Sequence, residues 1–412
     1  MKESYRLLPV YAGDVSGIAS ALYELGGMVV IHDPSGCNST YNTHDELRWY
    51  ETESNIFISG LHMRDAVLGN DRKFIADILE AADGISPAPA FIAICNSPVP
   101  FLNGTDFTGI CRIIERESGI PTFYVLSNGM HDYVTGIRQA FLSYAKKMLP
   151  DQRRLTLAAD DSINLLGLTP LSFSHRDTAY DLISLLKGCG FSVNAVWAMG
   201  EKTANIGKTG DAAVNLVLSE TALPLAEYLK RIYGTPYVIG CPVSPDAADA
   251  VEEALKDAAA AGLSGEKIYA DASPFFENFS PDGRMGKQRN PILPGQDADR
   301  FSPLKIAVYI GEAVLASSLA AFNREADKTL VLCPFEAGRA LLAANGKYFC
   351  GEEDYLSALK EIFERYPKAQ ITVYADPMYG LLLPDTVRFV PEPVLAMSGR
   401  QYQGHYINYF DI

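Results

Sequence analysis

Six histidines and seven cysteines in 412 residues leave little material for metal sites or disulfide frameworks. The cysteines are odd in number and widely spaced, which argues against a disulfide-stapled fold. No histidine pair stands at the spacing that puts two imidazoles on one helix face. Long apolar runs are missing too: none reaches the roughly 18 residues needed to cross a bilayer. The opening residues Met1-Lys2-Glu3-Ser4-Tyr5-Arg6 lack the basic-then-apolar layout of a signal peptide. Positive charge is scarce. With 35 Lys and Arg against 50 Asp and Glu, the net charge of −15 argues against nucleic acid and anionic membrane surfaces as partners. The expectation is a cytoplasmic protein with free thiols.

Two catalytic signatures are also lacking. Gly207-Lys208-Thr209 has the ending of a phosphate loop, but position 202 is Lys where that loop needs Gly, and strand-like sequence follows instead of a long helix. There is no Gly-x-Ser-x-Gly elbow, so a hydrolase arrangement lacks its nucleophile.

What is present is the composition of a globular chain, 48% hydrophobic and 21% charged, too long for a single core. Short apolar runs alternate with amphipathic stretches throughout. Strand candidates are Gly27–Ile31, Ala90–Cys95 and Thr122–Leu126, then Ile163–Leu166, Val193–Trp197, Val214–Leu218 and Tyr237–Ile239, then Lys305–Ile310, Lys328–Cys333 and Gln370–Tyr374. Helical periodicity marks Asp71–Ala82, Phe107–Glu117, Asp177–Lys187, Leu223–Tyr233, Ala247–Ala261 and Asp354–Arg365. Strands alternating with helices predict βαβ units. The fold class expected is α/β, with three successive doubly wound Rossmann-like domains and parallel sheets, over residues 1–150, 151–303 and 304–412.

Two thiols fall where such sheets place their ligands. His32-Asp33-Pro34-Ser35-Gly36-Cys37 closes the run Gly27–Ile31, and Cys95 ends the run Ala90–Ile94. Both are expected just outside the carboxyl ends of strands in one domain, where open α/β sheets bind. Soft thiolates suit an iron–sulfur cluster or zinc; the plainer reading is two buried packing cysteines. A [4Fe–4S] cluster takes four thiolates, so two from this chain imply two from another. Cys111 and Cys189 read as packing residues on helical faces, and Cys350 has no evident partner. Cys241 and Cys333 each end a strand before Pro and are candidates to face a cleft.

These motifs resemble the nitrogenase component 1 family. The segment His32 to Cys37 is similar to its His-x-Pro-x-Gly-Cys motif, and Ile94-Cys95-Asn96-Ser97-Pro98 through Asn103-Gly104-Thr105-Asp106 resembles its second Cys segment. Asn164 to Pro170 and Ala213 to Ser219 resemble parts of its second domain. The resemblance implies that Cys37 and Cys95 bind a [4Fe–4S] cluster shared between two subunits, with Gly36 letting the backbone approach it. It also implies a homodimer of component 1-like subunits, electrons from an ATP-hydrolysing iron protein, and Ser219 and Cys241 at the substrate. Departures narrow the branch. Pro9 stands where dinitrogen-reducing subunits carry an earlier cluster Cys, Ser219 stands at the place of the cofactor Cys, and no His lies between His175 and His405. The reading is therefore a reductase of a small organic molecule. The alternatives are a non-catalytic scaffold for cluster assembly and a cluster-free small-molecule binding protein.

Overall fold

The structure is a computed structural model that describes residues 5–34, 46, 48, 55–150, 161–199, 203–270, 303–402 and 404–412. Gly36 and Cys37 lie outside the described residues.

Three all-parallel sheets run in sequence along the chain. The first is ordered β2-β1-β3-β4, from β1 (Met28–His32), β2 (Ile56–Ile58), β3 (Ile92–Asn96) and β4 (Thr122–Val125). The second is ordered β6-β5-β7-β8-β9, from β5 (Ser162–Leu168), β6 (Ser192–Ala198), β7 (Val214–Val217), β8 (Tyr237–Ile239) and β9 (Glu266–Lys267). The third is ordered β12-β11-β10-β13-β14, from β10 (Lys305–Ile310), β11 (Lys328–Cys333), β12 (Gly346–Tyr348), β13 (Gln370–Ala375) and β14 (Arg388–Pro391). The α/β class and the three parallel sheets agree with the sequence reading. The central strands are buried along nearly their whole length, as parallel strands covered on both faces must be.

The chain divides into two compact units. One joins Val10–Ile268 to Pro393–Ile412, and the other joins Met1–Pro9 to Tyr269–Glu392. The first unit carries two sheets because they share one helical layer. Helices Asp14–Leu22 and Tyr133–Met148 pack tightly on each other. Their crossing is close at two glycines: a Cβ on Gly17 would lie 2.2 Å from Tyr133 O, and one on Gly136 would lie 2.0 Å from Asp14 O. From this layer Tyr144 meets Phe91 and Phe123 on the first sheet's side edge-on, while those two rings are tilted against each other. Phe141 and Tyr144 both meet Trp197 of β6 edge-on, 5.6 Å between centroids. The opposite face of the first sheet packs on helices Arg72–Gly84 and Phe107–Ser118 through Phe74, Ile78, Phe107, Ile110 and Ile114. The latter helix starts on Asp106, whose carboxylate accepts the Gly109 N–H at 2.9 Å, an N-cap of the usual kind.

In the second unit, β10, β11 and β13 form the centre of the third sheet. Helix Ala313–Ala321 lies on β10 and β11, opened by Glu312, which accepts the Leu315 N–H at 2.9 Å. The N-terminal segment is held in this unit by one carboxylate: Glu352 Oε2 accepts from the N–H groups of Arg6, Leu7 and Leu8 at 2.8–3.0 Å. Among the described residues no helix is long and apolar enough to cross a membrane.

Candidate functional site

Each sheet has a point where strand order reverses, and ligands of open α/β sheets bind outside the carboxyl ends there. In the first sheet that point lies between β1 and β3. Cys95 is in β3, paired in register with Ile31 on one side and Val125 on the other. The strand does not stop before the thiol, as the apolar run suggested, but continues to Asn96, because β1 continues to His32 and the two pair. The thiol is therefore fully buried rather than projecting from a loop.

Alternation sends the neighbouring side chains to opposite faces. On one face His32 stacks on Phe74, 3.9 Å between centroids, and meets Phe107 edge-on. Its Nδ1 lies 2.8 Å from Ser59 Oγ, which also accepts the Asp33 N–H at 3.1 Å. Burial pushes the imidazole pKa down to about 4, with Asp33 opposing only in part, so it is neutral near pH 7. Asn96 shares this face: Tyr124 donates its hydroxyl hydrogen to Asn96 Oδ1 at 2.8 Å, with the Tyr124 ring stacked on Phe107. The Asn96 N–H donates to Ser127 Oγ at 2.9 Å, and the Ser97 hydroxyl donates to the His32 carbonyl at 3.1 Å. These bonds lock the ends of β1, β3 and β4 together.

The Cys95 thiol has acidic surroundings. Burial pushes its pKa far above the usual range, and the carboxylates of Asp14 and Asp33 push the same way. Asp14 begins helix Asp14–Leu22 and is 1% exposed. It accepts from the N–H groups of Val15 (2.8 Å), Asn128 (3.0 Å) and Gly129 (3.2 Å), tying the loop after β4 to the helix. Burial still raises its pKa.

Beyond this point Arg48 anchors the chain. It is 2% exposed and ion-paired to Glu46 at 2.7 Å and Glu24 at 2.9 Å. Its Nη2 donates to the Ser20 carbonyl at 2.8 Å, and its guanidinium lies over the Tyr23 ring. Glu24 also binds Arg176 at 3.1 Å, so two arginines and two glutamates share one buried network. No spacing in the sequence marks it.

Around the same carboxyl end, the connections after β2, β3 and β4 expose apolar side chains. Met63, Val67 and Leu68 lie on helix Met63–Leu68, Phe101 and Leu102 on helix Pro98–Asn103, and Met130 in the loop beyond β4. Met63 is 84% exposed and Leu102 77%. The two short helices touch, and Asn103 Nδ2 donates to the Ala66 carbonyl at 3.1 Å. A gathered apolar surface of this kind marks an interaction site.

The second sheet reverses between β5 and β7, whose ends carry Thr169 and Ser219. Ser219 is fully buried and turns the chain: its Oγ accepts from the Thr221 N–H at 3.1 Å and the Thr221 hydroxyl at 2.9 Å. Cys241, past the end of neighbouring β8, is also fully buried, and its S–H donates to the Leu218 carbonyl at 3.1 Å. Ser219 and Cys241, which the resemblance implies at the substrate, thus stand at adjacent strand ends. Thr169, just past the end of β5, has a buried hydroxyl with no hydrogen-bond partner among the described residues.

The other described cysteines differ in burial. Cys111 is buried on helix Phe107–Ser118, with its pKa pushed up to about 12 by burial, and Cys333 ends β11. Cys189 and Cys350 cap helices. Among the described residues no group of three or more His, Cys, Asp or Glu is placed to hold a metal. The described donor set is one buried thiol, Cys95. It suits a soft metal by its chemistry, and it can serve a cluster only alongside donors from elsewhere.

The family model for nitrogenase component 1 type oxidoreductases matches residues 25–340. The chain belongs to that family. Among curated relatives, a light-independent protochlorophyllide reductase subunit from Methylobacterium radiotolerans is 41% identical over 81 residues, 19% of this chain and 15% of that protein. The corresponding reductase subunit from Rhodopseudomonas palustris is 29% identical over 214 residues, 50% of this chain and 36% of that protein. The chain thus spans well under half the length of these relatives. Among solved structures, "Nitrogenase Cp1 at pH 5" superposes with a TM-score of 0.57 at 15% identity, covering 94% of this chain and 85% of that one. That likeness shows the component 1 fold.

Proposed function

We propose that this chain is the catalytic component of a nitrogenase-like oxidoreductase. In this reading it is a cytoplasmic homodimer, takes electrons from an ATP-hydrolysing iron protein and reduces a small organic molecule. Cys37 and Cys95 of each chain would hold one [4Fe–4S] cluster between the subunits, with Gly36 permitting close backbone approach. Bound there, such a cluster supplies one-electron transfer at low potential. The observation that carries the reading is the position of Cys95: a fully buried thiol at the first sheet's reversal point, at an end ringed by exposed apolar side chains. A buried thiol is a ligand in reserve, and the apolar surface is what a second subunit would cover.

The chain's own residues have distinct tasks in this scheme. Cys95 would hold the cluster as a thiolate; burial, reinforced by Asp14 and Asp33, keeps its proton in place otherwise. Asp14 and Asn96 fix the loop after β4 against the strand end. His32 stays neutral and apolar-faced, excluding water from the β1 side. Substrate reduction belongs, in this proposal, to the second sheet's reversal point, with Ser219 and Cys241 as the catalytic candidates. The unpartnered Thr169 hydroxyl there supports a polar ligand nearby.

Anaerobic iron–sulfur reconstitution of the wild type, Cys37→Ala and Cys95→Ala tests the ligand assignment. Brown protein from the wild type and colourless, iron-poor protein from both variants is the expected result. Equal iron and equal visible spectra in all three would sink the assignment. Turnover of an organic substrate with iron protein, reductant and ATP separates an enzyme from a cluster scaffold.

A further inference from the structure

Among the described residues no helix covers part of one face of the third sheet, for a topological reason. Its order reverses between β10 and β13. Right-handed crossovers put the connections made before the reversal on one face and those made after it on the other. Helix Ala313–Ala321 therefore covers β10 and β11, with Ala316 and Ala320 packed against Ala307, Tyr309 and Val331. Over β13 and β14 the same face keeps Thr372 and Tyr374 half-buried and Arg388 exposed.

Here the face sinks into a cavity of about 80 Å³. Its floor is low because Ala307 and Thr372, paired in register, are small. Its wall is the loop Asn323–Ala326, which Asn323 makes rigid. Asn323 Nδ2 donates to the Tyr309 hydroxyl at 2.8 Å, and its Oδ1 accepts the N–H groups of Glu325 (2.8 Å) and Ala326 (3.1 Å). Lys305 and Arg388 both line the cavity. Among the described residues the ion pairs of this unit are Arg6–Glu353, Lys347–Glu361 and Lys360–Glu364, so neither cation is paired. Glu325 is the one carboxylate among the described lining residues, and Asp327 lies just outside, accepting the Lys305 backbone N–H at 2.9 Å.

We propose that this cavity binds a small oxyanion, inorganic phosphate or the phosphate end of a monoester, through Lys305, Arg388 and the Thr372 hydroxyl. The hollow has room for a small anion and is open on its solvent side, so the ester group of a monoester could project outward. Charge fits as well. Lys305 and Arg388 flank the Thr372 hydroxyl in one hollow, and an anion there would neutralise both. A guanidinium meets a phosphate with two parallel N–H donors, and a lysine adds a point charge. Glu325 opposes the anion and holds its affinity down.

Isothermal titration of the full chain with sodium phosphate, against sodium chloride at equal ionic strength, tests this. One phosphate per chain with no chloride heat is expected. Arg388→Gln and Lys305→Gln should each weaken binding at least about tenfold. Glu325→Gln should tighten it roughly two- to fivefold, a gain that a misfolded variant would not give. Glycerol phosphate binding as well as phosphate assigns the site to a monoester end, and weaker binding assigns it to the free ion. Phosphate heats no larger than chloride heats, or an affinity unchanged in Arg388→Gln, overturns the proposal.

Discussion

The first and third sheets follow one winding plan and finish it differently. Each starts at the centre, steps outward to one side, then reverses and adds two strands on the other. Over those last two strands the first sheet is sealed by helices Asp14–Leu22 and Tyr133–Met148, and its charged groups are buried and paired. Among the described residues the third sheet has no such helix pair there, and its cations Lys305 and Arg388 stand in solvent without partners. The difference teaches where a switch point becomes a site. Sealing makes a dry, rigid strand end that holds a buried thiol, and leaving the face open makes a wet, charged hollow.

Arginine substitutions in the two regions should expose this contrast most strongly. Arg48→Ala leaves Glu46 buried without its cation and should cost about 3–5 kcal/mol in urea unfolding. Arg388→Ala removes an exposed, unpaired group and should stay within about 0.5 kcal/mol. Similar losses in both would erase the distinction.

The next largest effect is a pH dependence confined to the first sheet. In the unfolded chain the His32 imidazole takes up its proton near pH 6.5, while in the fold it resists until about 4. Between those values the unfolded state holds more protons. Stability from this group is therefore full above pH 6.5 and falls as pH drops toward 4, by about 3 kcal/mol in total. Asp14, whose pKa is raised by burial, contributes with the opposite sign. Unfolding midpoints of the wild type and His32→Gln at pH 7 and pH 5 isolate the histidine, and the variant should lose most of the difference.

Smaller still is the helical seal itself. Gly136→Ala drives a methyl group into the Asp14 carbonyl and should cost about 1–3 kcal/mol by forcing the helices apart. A neutral result would mean that the crossing is looser than its 2.0 Å approach implies.

The same contrast governs what could be read from the sequence. Central strands such as Lys305–Ile310 and Lys328–Cys333 appear as apolar runs with the bounds the structure gives, because both their faces are covered. Amphipathic helices such as Leu223–Tyr233 are equally plain. Of the six edge strands, β4 and β6 carry apolar runs and are legible, whereas β2, β9, β12 and β14 are two to four residues long, too short to stand out as such a run, so nothing in their sequence marks them. Helices Asp14–Leu22 and Ala313–Ala321 are buried nearly all round and have lost the one-sided pattern that reveals a surface helix. At the site, Cys95 and Cys241 follow from strand-end logic, and Ser219 from the family resemblance alone. Asp14, Arg48 and the Lys305–Arg388 hollow do not, since each gains its meaning from residues far away in the chain.

The central claim is that the first sheet's carboxyl end is half of a site completed by a second chain. Native mass spectrometry of the anaerobically reconstituted protein tests it directly. The prediction is four irons and four sulfides per two chains, with both the cluster mass and the dimer diminished in Cys95→Ala. A full cluster carried by a single chain, or iron retained in full by Cys95→Ala, would contradict it.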